Sequence, residues 1–217
     1  DYGVKADFGY YLNTNNTIKF GISSTLHRFE PGKVEGVGSN TIFNTIEVPK
    51  SDAMEYNGYI SNDQKLGALL NVNYGIRYNI FQNIGRATVY NYDDDFNSID
   101  SSVYKKGEIF NTYNGFEPRI SLKYTLTEMS SLKSSYSRTF QFIHLASNST
   151  VGTPLDVWVP SSPNVKPQYS DQLALGYFRN FRKNTIEASV EVYYKKLHNQ
   201  IDFKDHASIL LDRKSVV

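Results

Sequence analysis

The sequence has 217 residues, and its 23 basic and 22 acidic side chains nearly cancel. Nucleic-acid binding needs a basic surplus that is missing here, and the absence of cysteine excludes disulfide scaffolds, thiol catalysis and cysteine-based zinc sites. No run of about 18 apolar residues occurs, so we expect no transmembrane helix. Barrel strands need only about 9 to 11 residues each and remain compatible with the composition.

The first predicted element is a β-hairpin. Apolar side chains occupy every second position over residues 4–12, a period typical of a strand with one apolar and one polar face. A turn rich in asparagine follows at residues 13–16, and the alternation resumes over residues 18–26. Residues 30–55 contain scattered proline and glycine without a lasting period, which predicts a long loop.

The same unit recurs three more times along the chain. Each copy consists of two long alternating segments with a short turn between them, and long loops over residues 83–113 and 143–168 separate the copies. The six further strands are predicted over residues 54–65, 70–80, 116–126, 131–142, 169–181 and 185–203. About eight strands are therefore joined by connections that are alternately short and long.

These lengths discriminate between two all-β architectures. Sandwiches use strands of about five or six residues and Greek-key connections, whereas transmembrane barrels have long strands, short turns on one side and long loops on the other. The sequence predicts an antiparallel up-and-down transmembrane β-barrel segment, an incomplete barrel with no helix longer than about two turns. A soluble meander, with its apolar face inside, is the open alternative.

The alternation also predicts which residues share a face. We expect one continuous surface in contact with lipid, and Arg77, Lys123 and Glu191 on the opposite face. The residues predicted for the lipid surface are Ile18, Phe20, Ile22, Val72, Tyr74, Ile76, Ile120, Leu122, Val190 and Val192.

Several short motifs resemble one family of outer-membrane proteins. Residues 74–78, Tyr-Gly-Ile-Arg-Tyr, and residues 116–119, Phe-Glu-Pro-Arg, resemble consecutive barrel strands of TonB-dependent outer-membrane receptors. Residues 132–138, 164–167 and 193–201 are similar to later strands and strand entries of the same barrels. No single motif is specific, but the ordered set covers most of the chain from residue 56 onward.

The resemblance implies a barrel of about 22 strands that is filled by an N-terminal plug and that imports scarce, bulky ligands with energy from TonB. It places the protein in the outer membrane of a Gram-negative bacterium. The implied partners are outer-membrane lipid, a plug and TonB encoded outside this chain, and a small-molecule or glycan ligand. Residues 1–211 are then expected to form part of the barrel domain.

The last six residues, 212–217, are interpreted separately. Their sequence, Asp-Arg-Lys-Ser-Val-Val, resembles an in-frame translation of a common sequencing adapter. We expect this tail to be non-native and the natural chain to continue differently after residue 211. A genuine basic C-terminus is the alternative.

Candidate site residues are few. No spacing of histidine, aspartate, glutamate or serine indicates a catalytic, cofactor-binding or metal site, so we predict none of these. Trp158 and Asp156, in the proline-rich loop 143–168, are expected to contact a ligand, because an indole offers a stacking surface. The alternative is a loop tucked into the barrel mouth for stability. Residues expected to face the lumen and the plug are Arg77, Arg119, Lys123 and Glu191.

The predicted function is ligand import by a TonB-dependent receptor. Siderophore-bound iron, cobalamin and oligosaccharides are all compatible ligands, because specificity lies in the loops. A secreted all-β carbohydrate-binding module and a small passive outer-membrane barrel are the alternatives. Nothing in the sequence indicates an enzyme.

Overall fold

The computed structural model of the chain describes residues 1–30, 33–34, 46–47, 50–93, 97–146, 157–182 and 185–201. Eight long strands form one antiparallel sheet: β1 (Tyr2–Asn13), β2 (Asn16–Phe29), β5 (Ser51–Leu66), β6 (Leu70–Ile84), β9 (Ile109–Thr127), β10 (Ser130–Gln141), β13 (Gln168–Phe181) and β14 (Ile186–His198). Short strands pair outside this sheet: β3 (Lys33–Val34) with β4 (Ile46–Glu47), β7 (Ala87–Tyr92) with β8 (Ser98–Tyr104), and β11 (Ile143–Ala146) with β12 (Val157–Pro160). None of the described residues form a helix long and apolar enough to cross a membrane.

The eight strands lie side by side in chain order, as an up-and-down meander. Short turns join β1 to β2, β5 to β6, β9 to β10 and β13 to β14, and they all lie at one end of the sheet. Gly67 adopts a φ of 69° in the second of these turns, a conformation that favours glycine because a Cβ strains it. The strand ends that the long connections join lie at the opposite end, here called the loop end, and the short turns define the turn end.

The register confirms the predicted sharing of faces. Phe8 pairs with Phe20, Phe20 with Ile60, and Ile60 with Ile76, and directly opposed residues of an antiparallel sheet point to the same face. All ten residues predicted for the lipid surface lie on this face, called the apolar face below. Ile22 is 67% exposed and Val190 is 70% exposed, so no other part of the described chain covers this surface.

The described residues contain only a small hydrophobic core. Ala53, Phe81 and Phe142 are buried together at the loop end, and the rings of Phe81 and Phe142 stack at 5.0 Å. Phe29, Tyr113 and Phe140 pack around them. A sequential sheet with its apolar face exposed is not a soluble sandwich, in which two sheets enclose that face.

The predicted loop boundaries differ from the observed ones. The stretch predicted as a loop over residues 83–113 contains the β7–β8 hairpin, and β9 begins at Ile109 rather than at residue 116. The last strand ends at His198 instead of residue 203, and Asn199 then adopts a φ of 54°. Residues 212–217, predicted to be a non-native tail, lie outside the described residues.

Candidate functional site

The face opposite the apolar face is lined by charged and amide side chains and is called the polar face. Arg77 pairs with Glu117, Arg119 with Gly75, and Lys123 with Asn71, which places the three basic residues on this face. Glu191, opposite Gly176, continues the same face into β14. The four residues predicted to face the lumen therefore share one surface, and their contact with a plug stays a prediction.

A charged network occupies the polar face across β1, β5 and β6. Lys5 Nζ lies 2.9 Å from Asp7 Oδ2, and the Tyr59 hydroxyl donates a hydrogen bond of 2.7 Å to Asp7 Oδ1. The Arg77 guanidinium lies 5.9 Å from the centre of the Tyr59 ring. A Cβ at Gly21 would approach Asp7 Oδ1 to 2.6 Å, so glycine is required for this close packing.

A second network lies nearer the turn end. Lys19 Nζ forms an ion pair of 3.0 Å with Asp63, which also accepts a hydrogen bond from the Asn73 amide. Both partners of this ion pair are substantially exposed, and exposed pairs contribute little to stability in water. Near the turn end the polar face is thus a hydrated surface open to a partner, unlike the small hydrophobic core at the loop end.

At the loop end, His27 is buried between two carboxylates. Its Nδ1 lies 3.2 Å from Asp1 and its Nε2 lies 3.2 Å from Glu55, whose other oxygen accepts a 3.1 Å hydrogen bond from Asn57. The His27 ring also lies 6.4 Å from Phe81. This arrangement ties the polar networks to the small aromatic core.

Glu117 occupies a gap between β9 and β10. Toward the loop end, pairing of these strands stops at Arg119 and Ser137. The residue of β9 beyond this point is Pro118, which has no N–H to donate. Glu117 is 4% exposed, and its carboxylate accepts hydrogen bonds from the Phe140 backbone N–H at 2.7 Å and from Arg119 at 3.0 Å. The side chain therefore replaces part of the interrupted backbone ladder.

The base of the connection between β10 and β13 folds over the polar face. The Asn83 amide donates to the Ser161 carbonyl and the Tyr113 hydroxyl to the Ser162 carbonyl, both at 2.8 Å. His144 Nε2 lies 2.9 Å from Ser161 Oγ, and the His144 side chain is 1% exposed. Ser161, Ser162 and His144, together with Phe142, are called the loop base below.

Burial lowers the pKa of His144 below its ordinary value, because the charged imidazolium loses its hydration. His144 lies in β11, outside the eight-stranded sheet. Its Nδ1 is buried without a hydrogen-bond partner in the described part of the chain. The neutral ring therefore packs as a structural element of the loop base.

The described parts of the loop 143–168 differ in burial. The loop base is buried against the polar face, whereas Trp158 on β12 is 57% exposed. Asp156 lies outside the described residues. Ligand contact by Trp158 and Asp156 stays a prediction.

Sequence reasoning placed Glu117 in the motif at residues 116–119 but did not identify the other residues that organise this end of the sheet. Asn83, His144 and Ser161 are far apart in the chain and show no spacing that links them. The sequence feature that they share is only that each is a polar residue within three positions of an aromatic residue. Among the described residues, no group of three or more histidine, aspartate or glutamate side chains could hold a metal ion.

A sequential sheet of long strands, with one exposed apolar face and one polar face, defines a segment of an antiparallel up-and-down transmembrane β-barrel. The family model "TonB dependent receptor-like, beta-barrel" matches residues 1–211, and the chain belongs to this family. No curated protein matches the sequence.

Two solved structures have a similar fold. The FrpB iron transporter from Neisseria meningitidis, F5-1 variant in its apoprotein form, superposes with a TM-score of 0.58 at 12% identity, over 90% of this chain and 28% of that chain. The F3-3 variant of the same transporter gives a TM-score of 0.59 at 12% identity, over 94% and 29%. This chain thus spans less than a third of either structure, and the likeness at this identity is one of fold.

Proposed function

We propose that the chain is the ligand-facing part of an outer-membrane receptor that imports a scarce ligand into a Gram-negative bacterium with energy from TonB. The observation that supports this most directly is the division of one meandering sheet into an exposed apolar face and a polar face, in a chain of the TonB-dependent receptor family. The apolar face is suited to lipid and the polar face to a hydrated lumen.

The plug and the TonB-contacting segment are proposed partners that lie outside this chain. Charged pairs such as Lys19 and Asp63 lie on the polar face and present exposed hydrogen-bonding groups to which a plug surface can bind. We expect transport and not catalysis, because the chain belongs to the TonB-dependent receptor family. A secreted carbohydrate-binding module is disfavoured by the exposed apolar face.

For the ligand, we propose an iron chelate ahead of cobalamin or an oligosaccharide. The support is the fold shared with FrpB, an iron transporter. Trp158 is the proposed contact, since its exposed indole lies on β12 at the predicted extracellular end of the sheet.

The test is uptake by cells that carry or lack the complete gene. Radiolabelled ferric siderophores, cobalamin and a maltooligosaccharide are supplied separately, each in a strain with TonB and in one without it. The proposal predicts accumulation of one iron chelate that requires both the gene and TonB. Diffusive, TonB-independent uptake of small solutes would instead establish a passive barrel.

The contribution of Trp158 is tested in the same assay. Trp158→Ala is expected to weaken ligand binding by about 1 kcal/mol, close to a fivefold rise in the apparent Kd, because an aromatic contact is lost. Tyr11→Ala, which removes an exposed aromatic ring at the turn end of β1, is the matched control. Equal binding by the Trp158 variant and the wild type would remove Trp158 from the proposed site.

A further inference from the structure

The charged residues on the apolar face are distributed unevenly. In the described strands of the eight-stranded sheet, the lysine, arginine and aspartate side chains on this face lie at the loop end, with one exception. Those at the loop end are Arg28, Asp52, Arg138, Asp171 and Lys196. The exception is Arg179, which lies at the turn end between Tyr177 and Phe181 on β13.

The side chain of Arg179 extends toward the turn. Its guanidinium carbon lies 5.0 Å from the centre of the Phe181 ring, and Phe181 is two residues nearer the turn. Among the described residues, no carboxylate lies within ion-pair distance of this guanidinium. An arginine on a lipid-facing strand is stable where it reaches the headgroups, so a phosphate is the natural counterion.

A second arginine lines the same pocket as Arg179. Arg182 occupies the turn after β13 with a φ of 48°, and its carbonyl accepts a hydrogen bond of 3.3 Å from the Thr185 N–H. Arg179 and Arg182 line one side of a shallow pocket between two neighbouring turns. The Asn180 N–H donates to the Met129 carbonyl at 2.8 Å, which joins the two turns beneath it.

The opposite side of this pocket includes an acidic residue. Thr127, Glu128 and Met129, from the turn between β9 and β10, complete the lining. The lining thus includes two arginines, one glutamate and two apolar residues, Met129 and Phe181. Arginine binds phosphate through paired hydrogen bonds, and a carboxylate suits an ammonium group.

We propose that this pocket binds the headgroup of one phosphatidylethanolamine molecule from the membrane leaflet at the turn end. The phosphate lies between Arg179 and Arg182, the ammonium group faces Glu128, and an acyl chain runs along Phe181 and Tyr177 on the apolar face. The site requires only that the barrel spans a membrane. A failure to detect ligand import would therefore contradict the proposed function but not the lipid site.

The test uses the complete receptor, purified in detergent and examined by native mass spectrometry with added phosphatidylethanolamine or phosphatidylglycerol. Wild type is expected to retain phosphatidylethanolamine preferentially. The double variant R179Q/R182Q is expected to retain about tenfold less of it, because two charge-assisted hydrogen bonds are lost. Lys196→Gln, an exposed charge on the same face at the loop end, is the matched control and should leave retention unchanged.

Two further variants make the test decisive. Glu128→Gln is expected to abolish the preference over phosphatidylglycerol, because the ammonium group loses its carboxylate. Arg182→Gln alone changes a turn residue outside the strands, and it gives the same direction of effect should the double variant fail to fold. Retention of phosphatidylethanolamine by the folded R179Q/R182Q or Arg182→Gln receptor at the wild-type level would overturn the proposal. Equal retention of both lipids by wild type would overturn the assignment of the ethanolamine group.

Discussion

Glu117 shows how a single side chain can complete an interrupted sheet. Its carboxylate is buried and accepts hydrogen bonds from the Phe140 N–H and from Arg119, where β10 leaves β9. A buried donor that loses its acceptor retains its full cost of desolvation. Phe140 and Arg119 therefore depend on Glu117 for the local geometry of the barrel wall.

Glu117→Ala is expected to destabilise the complete receptor by about 1–3 kcal/mol, because the part-buried Phe140 N–H and the Arg119 guanidinium lose a charged acceptor. The measurement is the temperature at which the folded barrel loses its altered mobility in SDS gels. Glu117→Gln keeps an acceptor for the Phe140 N–H and should lose less. Glu191→Ala, an exposed residue on the same face, is the control, and an equal loss in both alanine variants would contradict this role.

His144 gives the loop base a dependence on pH. Burial lowers the pKa of His144 below the ordinary value of 6.5, so the folded loop base binds fewer protons than the opened one. Stability contributed by the neutral ring is therefore complete above this value. It decreases as the pH falls below it, because the opened state gains a proton that the folded state excludes.

Amide hydrogen exchange of the complete receptor tests this dependence. Between pH 7.5 and pH 5, peptides from β11 and from residues 157–162 are expected to lose protection relative to the eight-stranded sheet. His144→Gln should remove the dependence, whereas His198→Gln, at a partly exposed position on β14, should not. Unchanged protection of the wild-type loop base at pH 5 would show that protonation of His144 does not open it.

Substitutions at two neighbouring residues of β14 test which face of the sheet contacts lipid. Val192 lies on the apolar face, and Glu191 lies on the polar face opposite Gly176. Val192→Arg is expected to destabilise the membrane-embedded barrel by about 2–4 kcal/mol, because arginine is placed against lipid. Glu191→Arg should cost far less.

The yield of folded receptor in outer-membrane fractions measures both substitutions. A large loss for Val192→Arg with near-normal yield for Glu191→Arg is the expected result. The reverse order would mean that the apolar face points into the barrel and not toward lipid.

Strand identity and facing could be predicted from the sequence because a period of two is visible locally. The regular alternation of β6 and β14 identified both the strands and their apolar faces. The β7–β8 hairpin was not predicted, because its strands gain their extended form from pairing with each other and show only weak alternation of apolar and polar residues. The early start of β9 at Ile109 likewise depends on its pairing with β6.

The candidate site was less predictable than the fold. Exposed charges on the polar face, such as Arg77 and Glu191, follow from parity alone. The loop base does not, because Asn83, His144 and Ser161 meet only after the chain has folded back over the sheet. The motif that contains Glu117 was recognised in the sequence. The role of Glu117 was not, because it depends on the point at which β10 separates from β9.

At the scale of the molecule, the described sheet remains open. It begins with β1 and ends with β14, and within the described residues neither edge strand has a second neighbour in the sheet. Unpaired backbone groups are costly in lipid, so a membrane-embedded barrel requires further strands to pair with both edges. The match to less than a third of the FrpB transporter chains agrees with this requirement.

The central claim is that this sheet spans the outer membrane with its long loops outside and its short turns in the periplasm. The chain contains no cysteine, so single cysteines can report on sidedness. The measurement is labelling of Trp158→Cys and Glu128→Cys in the complete receptor, on intact and permeabilised cells, with a membrane-impermeant maleimide; the receptor without either substitution is the blank. We predict that Trp158→Cys reacts on intact cells and that Glu128→Cys reacts only after permeabilisation. Labelling of both positions on intact cells, or of Glu128→Cys alone, would contradict the account.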